Sequence, residues 1–229
     1  MDGGRRMWKY EVGLANRFMS MPSQKSTAAD TAAREPRRQR GRERVAALLR
    51  AASAVFAEKG YEATTMTEVA ARAGAAIGSL YQFFPSKEAV ADALLTRYGE
   101  QVLERLQAIE AQAADLPVPA LADALIDLLL GLKEERATAL ALFEARRDAA
   151  EPLRLRDALR AGVSRILGLR APELPPDRAM AMAIAVVLQM KAAAALGAEP
   201  GLKPRAAALA ELRRMTRLYL EEGLGPDQA

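Results

Sequence analysis

The stretch TMTEVAARAGAAIGSLYQFF, residues 65–84, decides the fold of this chain. Its first four residues have the spacing of a capping box, in which the hydroxyl of Thr65 and the carboxylate of Glu68 satisfy backbone amides at a helix start. The spacing predicts a short helix that ends at Gly74 and a second short helix over residues 76–83. Two helices joined by such a turn form a helix-turn-helix, whose second helix fits the major groove of DNA.

The segments on both sides of this motif also predict helices. Upstream, a helix is expected to begin near Glu43 and to stop at Gly60, because its apolar side chains recur with the period of one helix face. This face consists of Val45, Leu48, Leu49, Ala52, Val55 and Phe56. Downstream, Ser86 is a suitable N-cap for a long helix from Lys87 to about Ala113.

The remainder of the chain predicts five more helices, separated by Pro, Gly or charged clusters. Their expected spans are Pro119–Glu135, Ala137–Arg147, Glu151–Leu169, Pro176–Leu196 and Lys203–Glu222. No segment has the alternation of a strand. The fold class is therefore all-α, with about nine helices. We expect a flexible basic extension over residues 1–41, a DNA-binding head over 42–102 and a helical domain over 103–229.

Composition excludes several classes of function. The chain has 229 residues and contains neither Cys nor His, which removes disulfides, zinc sites and imidazole catalysis. No phosphate loop, nucleophile motif or paired-carboxylate signature occurs, so we expect no enzyme activity, no cofactor and no metal. The most apolar stretch is interrupted by Gln189 and Lys191, so we expect no membrane span and a cytoplasmic location.

Charge and side-chain chemistry favour DNA as a partner. Residues 1–100 carry 16 basic and 11 acidic residues. On the second short helix, Leu80 and Phe84 point inward and the opposite side faces the groove. Ser79 and Gln82 on that side can both donate and accept hydrogen bonds, as base edges require. Lys87, in the first turn of the next helix, is a natural phosphate ligand.

The residues of this region resemble the tetracycline-repressor (TetR) family of transcriptional regulators. The resemblance runs from Gly60 to Glu88 in its motifs and covers about residues 42–102. It implies a homodimeric repressor that a small molecule releases from a palindromic operator. Carried over position by position, it assigns DNA contacts to Thr65, Ile77, Ser79, Tyr81, Gln82, Phe83 and Lys87. Gly78 is a further candidate from its place on the groove-facing side of the helix, where the missing side chain lets the backbone approach a phosphate or the groove wall. This chain departs from the family at Ala76, which cannot cap the recognition helix, and at Phe83, which cannot hydrogen-bond a phosphate.

Other interpretations stay open at this point. Ile77, Tyr81 and Phe83 are also compatible with packing inside the head. The protein is alternatively an activator of the same family, or a helical DNA-binding or adaptor protein without sequence preference. The arginines around the end of the basic extension form either an inert tail or an arm that follows the DNA backbone or enters a narrow minor groove. These are Arg34, Arg37, Arg38, Arg40, Arg42 and Arg44.

The C-terminal helices predict a dimer interface and an effector pocket. The stripe of small and apolar residues on the last two helices predicts an interface formed by Ala181, Ala185, Leu188, Ala192, Leu212, Met215 and Tyr219. Apolar candidates for the pocket are Leu103, Leu106, Leu125, Leu128, Leu129, Leu132, Leu140 and Phe143, with Glu144 and Arg146 as polar handles. We expect an aliphatic or mixed apolar effector with one polar group. These leucines are equally compatible with ordinary helix packing.

Overall fold

The computed structural model describes residues 31–146 and 151–225. All of its regular elements in these ranges are helices. They are α1 (Thr31–Ala63), α2 (Met66–Arg72), α3 (Ile77–Phe83), α4 (Lys87–Glu110), α5 (Val118–Leu130), α6 (Lys133–Ala145), α7 (Glu151–Arg170), α8 (Pro176–Ala198) and α9 (Arg205–Leu224). The predicted all-α fold with about nine helices is confirmed.

The first helix begins earlier than the sequence predicts. It starts at Thr31 rather than near Glu43, so residues 31–41 are helical and not an irregular extension. Helix-favouring side chains explain the difference, because Gln39 bonds both Glu43 and Arg42 at helical spacing. The chain divides into one compact unit up to Arg44 and a second from Val45 onward. The boundary between residues 102 and 103 remains a prediction.

Gly60 interrupts α1 as predicted. Its φ of 78° and ψ of 170° are non-helical and lie in a region that is essentially restricted to glycine. The predicted apolar face of α1 points into the core: Leu48, Ala52, Val55 and Phe56 are almost fully buried. The helix is therefore fixed to the head by this face, and the break at Gly60 turns the chain toward α2.

The C-terminal helices form a bundle around α4 and α8. Helix α4 packs against α5, α6 and α7, and α8 packs against α5, α6, α7 and α9. Ion pairs join α9 to α5, where Arg217 binds Asp123 and Arg213 binds Asp127. The sequence predicted one helix across residues 119–135. The structure instead ends α5 before Gly131 and starts α6 at Lys133.

By length and composition, α8 is the one described helix that could cross a membrane. Its most apolar window has a mean hydropathy of 1.8, and 44% of that window is buried within the protein. Both Val186 and Val187 are fully buried in the helical core. A core helix meets the same criterion, and the packing of α8 on four neighbouring helices, α5, α6, α7 and α9, accounts for its apolar composition.

Candidate nucleic-acid interface

The start of α2 contains the capping box that the sequence predicts. The amide of Glu68 donates to Thr65 Oγ1 at 3.3 Å, and the amide of Thr65 donates to Glu68 Oε2 at 3.1 Å. The Thr65 hydroxyl also donates to the same carboxylate at 3.0 Å. The bond from Lys59 and those from Thr65 together lower the pKa of the Glu68 carboxyl to about 2. Thr65 is exposed, but its hydroxyl already donates to Glu68 in this conformation.

The turn between α2 and α3 is closed by backbone hydrogen bonds around a glycine. Gly74 has a φ of 60°, which side chains other than glycine rarely adopt. The Gly74 amide donates to Ala71 O at 3.1 Å, and the Ala75 amide donates to Ala70 O at 2.9 Å. These bonds satisfy the last carbonyls of α2 and direct the chain into α3. The predicted helix-turn-helix is therefore present.

Helix α3 has an inner side that anchors it and an outer side that is open to solvent. Leu80 is fully buried, and Phe84, immediately after the helix, is 8% exposed, as the sequence predicts. On the outer side, Ile77 is 40% exposed and Tyr81 is 50% exposed. Gly78 and Gln82 are exposed too, Ser79 is half-buried, and Phe83 is half-buried against the core. Of the three residues with an alternative packing role, only Phe83 packs into the head.

The N-terminus of α3 has no side-chain cap. Ala76 occupies the N-cap position with extended backbone, and its side chain cannot accept a hydrogen bond from the first amides. The carbonyl of Ala76 accepts from the amides of Ser79 and Leu80. The exposed start of this helix therefore retains amide donors that can meet an anionic phosphate.

Lys87 is held by the head itself. Its Nζ donates to Tyr61 O at 2.9 Å and to Glu62 O at 3.1 Å, and it lies 4.5 Å from the centroid of the Tyr61 ring. Ser86 caps the same helix, accepting from the Ala89 amide at 3.2 Å. Lys87 thus joins the start of α4 to the last residues of α1, after the break at Gly60. Of its three ammonium donors, two are used internally, which leaves one for a phosphate.

Ion pairs neutralise part of the charge on the head. Arg72 binds Glu58 through two hydrogen bonds of 2.7 and 2.6 Å, and this contact holds the pKa of the Glu58 carboxyl below its usual range. Tyr61 donates to Glu88 at 3.2 Å.

The arginines predicted to form a tail or an arm are described only in part. Arg40, Arg42 and Arg44 are exposed on α1, whereas the side chains of Arg34, Arg37 and Arg38 lie outside the described residues.

The predicted dimer residues lie mostly on the exposed sides of α8 and α9. Leu188 is 57% exposed, Met215 is 55% exposed and Tyr219 is 38% exposed. Ala181 and Ala192 are exposed as well, while Ala185 and Leu212 are half-buried. Another side of α8 fills the domain's own core instead and includes Met182, Val186 and Met190. Packing within the chain therefore leaves most of the predicted interface residues exposed to solvent.

The predicted pocket residues are dispersed. Leu106, Leu125, Leu128 and Leu132 are buried in the helical core, and Leu103 and Phe143 are half-buried against it. Leu129 and Leu140 of the predicted set line a cavity, which has a volume of about 360 Å³. Glu144 is exposed, and Arg146 pairs with Asp92 of α4.

We call this space the cationic cavity, because three basic side chains line it and no acidic side chain does. It lies between the end of α5, the first turns of α6, the end of α8 and the start of α9. Sequence reasoning missed its charged residues, because Arg205 is far along the chain from Lys133 and Arg136. The lining consists of Leu129, Leu130, Lys133, Arg136, Ala137, Leu140, Ala194, Gly197, Ala198, Arg205 and Leu209.

The described residues contain no cluster of acidic side chains that could hold a metal ion. The arrangement instead presents a short helix, anchored by its apolar side, with an exposed outer side of mixed polar and apolar groups. An arrangement of this kind is suited to reading base edges in the major groove. The head is therefore a helix-turn-helix of the DNA-binding type.

Comparison with known proteins agrees with this class. Residues 48–94 match the family of bacterial regulatory proteins, tetR family. The HTH-type transcriptional repressor KstR2 of Mycobacterium tuberculosis (strain CDC 1551 / Oshkosh) is 44% identical over 62 residues, which cover 27% of this chain and 31% of that protein. KstR2 of Rhodococcus jostii (strain RHA1) is 38% identical over 68 residues, covering 30% of this chain and 33% of that protein. The similarity thus spans about a third of these relatives.

Solved structures extend the similarity of fold to most of the chain. A TetR-like transcriptional regulator from Rhodococcus sp. RHA1 covers 79% of this chain and 95% of its own, with a TM-score of 0.58 and 24% identity. A TetR-family transcriptional regulator from Streptomyces coelicolor covers 80% and 98%, with a TM-score of 0.52 and 28% identity. The DNA-binding head thus matches the tetR family of bacterial regulatory proteins over residues 48–94, and the fold of most of the chain resembles that of TetR-like regulators.

Proposed function

We propose that this protein is a dimeric, sequence-specific DNA-binding repressor that a small molecule releases from a palindromic operator in the cytoplasm. The observation that carries the proposal is the outer side of α3, where Ile77, Tyr81 and Gln82 are exposed while Leu80 anchors the helix. Repression, rather than activation, is supported by the similarity of the head to that of KstR2, which is a transcriptional repressor.

A binding experiment separates a specific regulator from a general DNA-binding protein. Genome-wide mapping of bound sites supplies the operator, and fluorescence anisotropy then compares it with random duplex DNA. A specific regulator should prefer its operator by ~10³ or more. Equal affinity for both DNAs would favour the alternative of a helical DNA-binding protein without sequence preference.

Gln82 provides the sharper test of how α3 is oriented in the groove. Gln82→Ala should change the preference at one base pair by about 1–3 kcal/mol and leave other positions unaltered. Gln112→Ala is a matched control, because Gln112 is also exposed but lies after α4 and hydrogen-bonds the carbonyl of Ala108. An unchanged sequence preference in the Gln82 variant would show that another side of α3 faces the bases.

The exposed apolar faces of α8 and α9 support a homodimer. Large side chains on both helices are exposed in the single chain, including Leu188, Met215 and Leu218, each of them more than half exposed. Two such helices from each chain can pack as a four-helix interface, and the two-fold symmetry of a dimer matches a palindromic operator.

The dimer proposal is tested by adding one charge to the proposed interface. Leu188→Glu should convert the protein to a monomer in sedimentation experiments at micromolar concentration and should weaken operator binding. Leu169→Glu is the matched control, because Leu169 is a 49% exposed leucine on α7, outside the proposed interface. A monomeric wild type, or a Leu188 variant that stays dimeric, would contradict the proposed interface.

A further inference from the structure

We infer that the cationic cavity binds an aliphatic molecule carrying an anionic group such as a carboxylate. The cavity volume of about 360 Å³ lies at the lower end of the range of small-molecule sites. Its regulatory consequence rests on the proposed function, whereas binding itself does not. The inference follows from the apolar wall, the unpaired cations and the position of α6.

The apolar wall is formed by side chains from all four helices. Leucines from α5, α6 and α9 surround a floor of small residues on α8, namely Ala194, Gly197 and Ala198. A Cβ at position 197 would lie 2.7 Å from Leu130 Cδ2, so a larger residue there would have to displace the Leu130 side chain. Small residues at this end of α8 therefore leave the space that a hydrocarbon chain can fill.

The polar side of the cavity is cationic. Lys133 and Arg136 form no ion pair or side-chain hydrogen bond with any residue in the described part of the chain. Arg205 donates to the backbone carbonyl of Glu199, but its buried Nε has no partner among the described residues. Buried polar groups are usually hydrogen-bonded, so the guanidinium of Arg205 keeps donor capacity beyond its bond to Glu199 that an anion in the cavity would use.

Further positive charge lies next to the cavity. Lys191, one turn before Ala194 on α8, is half-buried, and burial lowers the pKa of its ammonium. The charges of Arg160, Arg156 and Arg136 lower it further, and no carboxylate offsets them. Arg156 and Arg160 share Asp157 as an ion-pair partner. A bound anion would relieve this repulsion, whereas a cationic ligand would increase it.

The cavity is connected to the DNA-binding head through α6. The first turns of α6 line the cavity, and Thr138, between two lining residues, hydrogen-bonds Ser53 of α1 at 2.9 Å. At the other end of α6, Arg146 pairs with Asp92 of α4. An occupant that moves α6 therefore acts on both helices that support the helix-turn-helix.

Decanoate, decanol and decyltrimethylammonium test the inference on the full-length protein by isothermal titration calorimetry without DNA. We expect decanoate to bind at one site per chain, decanol at least tenfold more weakly, and the cation not at all. Arg136→Gln should weaken decanoate binding tenfold or more. Arg97→Gln, an exposed arginine on α4 outside the cavity, should not.

Thermal unfolding of the ligand-free variants shows whether a loss of decanoate binding comes from misfolding of the variant. The Arg136 variant should unfold at or above the temperature of the wild type, because it loses a repulsive charge. Equal decanoate binding by wild type and variant, or no saturable binding, would overturn the inference. Binding that leaves operator affinity unchanged would support the cavity assignment and contradict the proposed regulatory role, so the two failures are distinguishable.

Discussion

Replacing Lys87 by alanine separates two roles of this side chain, one in holding the head together and one in binding DNA. The ammonium makes two hydrogen bonds to the carbonyls of Tyr61 and Glu62 and contacts the face of the Tyr61 ring. Bonds from a charged donor contribute about 1.5–3 kcal/mol, and an exposed cation–π contact contributes about 0.5–1 kcal/mol. Because Lys87 is half-exposed and water can replace it at both carbonyls, we expect a loss of about 1–2 kcal/mol.

Two measurements check the Lys87 prediction. Urea or thermal unfolding should show the loss of stability, with a fall in Tm of about 2–4 °C per kcal/mol for a chain of this length. Operator affinity over a series of salt concentrations should show a slope shallower by about 0.9, the contribution of one phosphate. Arg97→Ala should change neither quantity. Lowered stability with an unchanged slope would refute the phosphate contact, and unchanged stability would refute the role in the head.

Three further substitutions test the head. Ala76→Ser should add the missing N-cap of α3 and raise the free energy of unfolding by about 1 kcal/mol, and no gain would show that water already satisfies those amides. Leu80→Ala should cost about 2–5 kcal/mol, because Leu80 is fully buried, and hydrogen exchange should locate the loosening at α3 rather than in the C-terminal bundle. The Glu68 carboxyl has a pKa of about 2 in the folded protein, below its ordinary value of 4.5. Its ionised form therefore stabilises the fold at pH values above 4.5, and this contribution is lost as the pH falls toward 2. Glu68→Gln should lack that part of the acid dependence, and identical acid unfolding profiles would contradict the capping-box geometry.

Local signals account for what the sequence predicts well. The capping box at Thr65, the N-cap at Ser86 and the helix break at Gly60 each depend on residues only a few positions apart. The start of α1 was misplaced because its first turns lack an apolar stripe, although their charged and polar residues favour a helix. The end of α5 was misplaced at Glu135, because Leu132 and the charged residues that follow Gly131 also favour a helix, and the period alone does not reveal a break at a single glycine.

How well the sequence predicts each candidate site also depends on how far apart its residues lie along the chain. The outer and inner sides of α3 follow from a single helical period, so the sequence assigns them without knowledge of the tertiary structure. The cationic cavity instead brings together Lys133, Arg136 and Arg205 from two separate helices. Each of these residues alone is typical of a solvated helix surface. Only packing reveals that they share one apolar space and that Arg205 Nε lacks a partner.

The free energies of individual contacts indicate how ligand binding in the cavity would affect the DNA-binding head. Allosteric coupling typically amounts to about 1–3 kcal/mol. The pair between Arg146 and Asp92 involves a 60% exposed carboxylate, and such pairs contribute about 0–1 kcal/mol. The part-buried bond between Ser53 and Thr138 contributes about 0.5–1.5 kcal/mol. Neither contact alone accounts for a coupling free energy of this size, so the packing of α6 against α4 must supply the rest of the coupling. A ligand of the cationic cavity should therefore act by displacing α6 as a rigid body, and removing Arg146 alone should weaken the coupling without abolishing it.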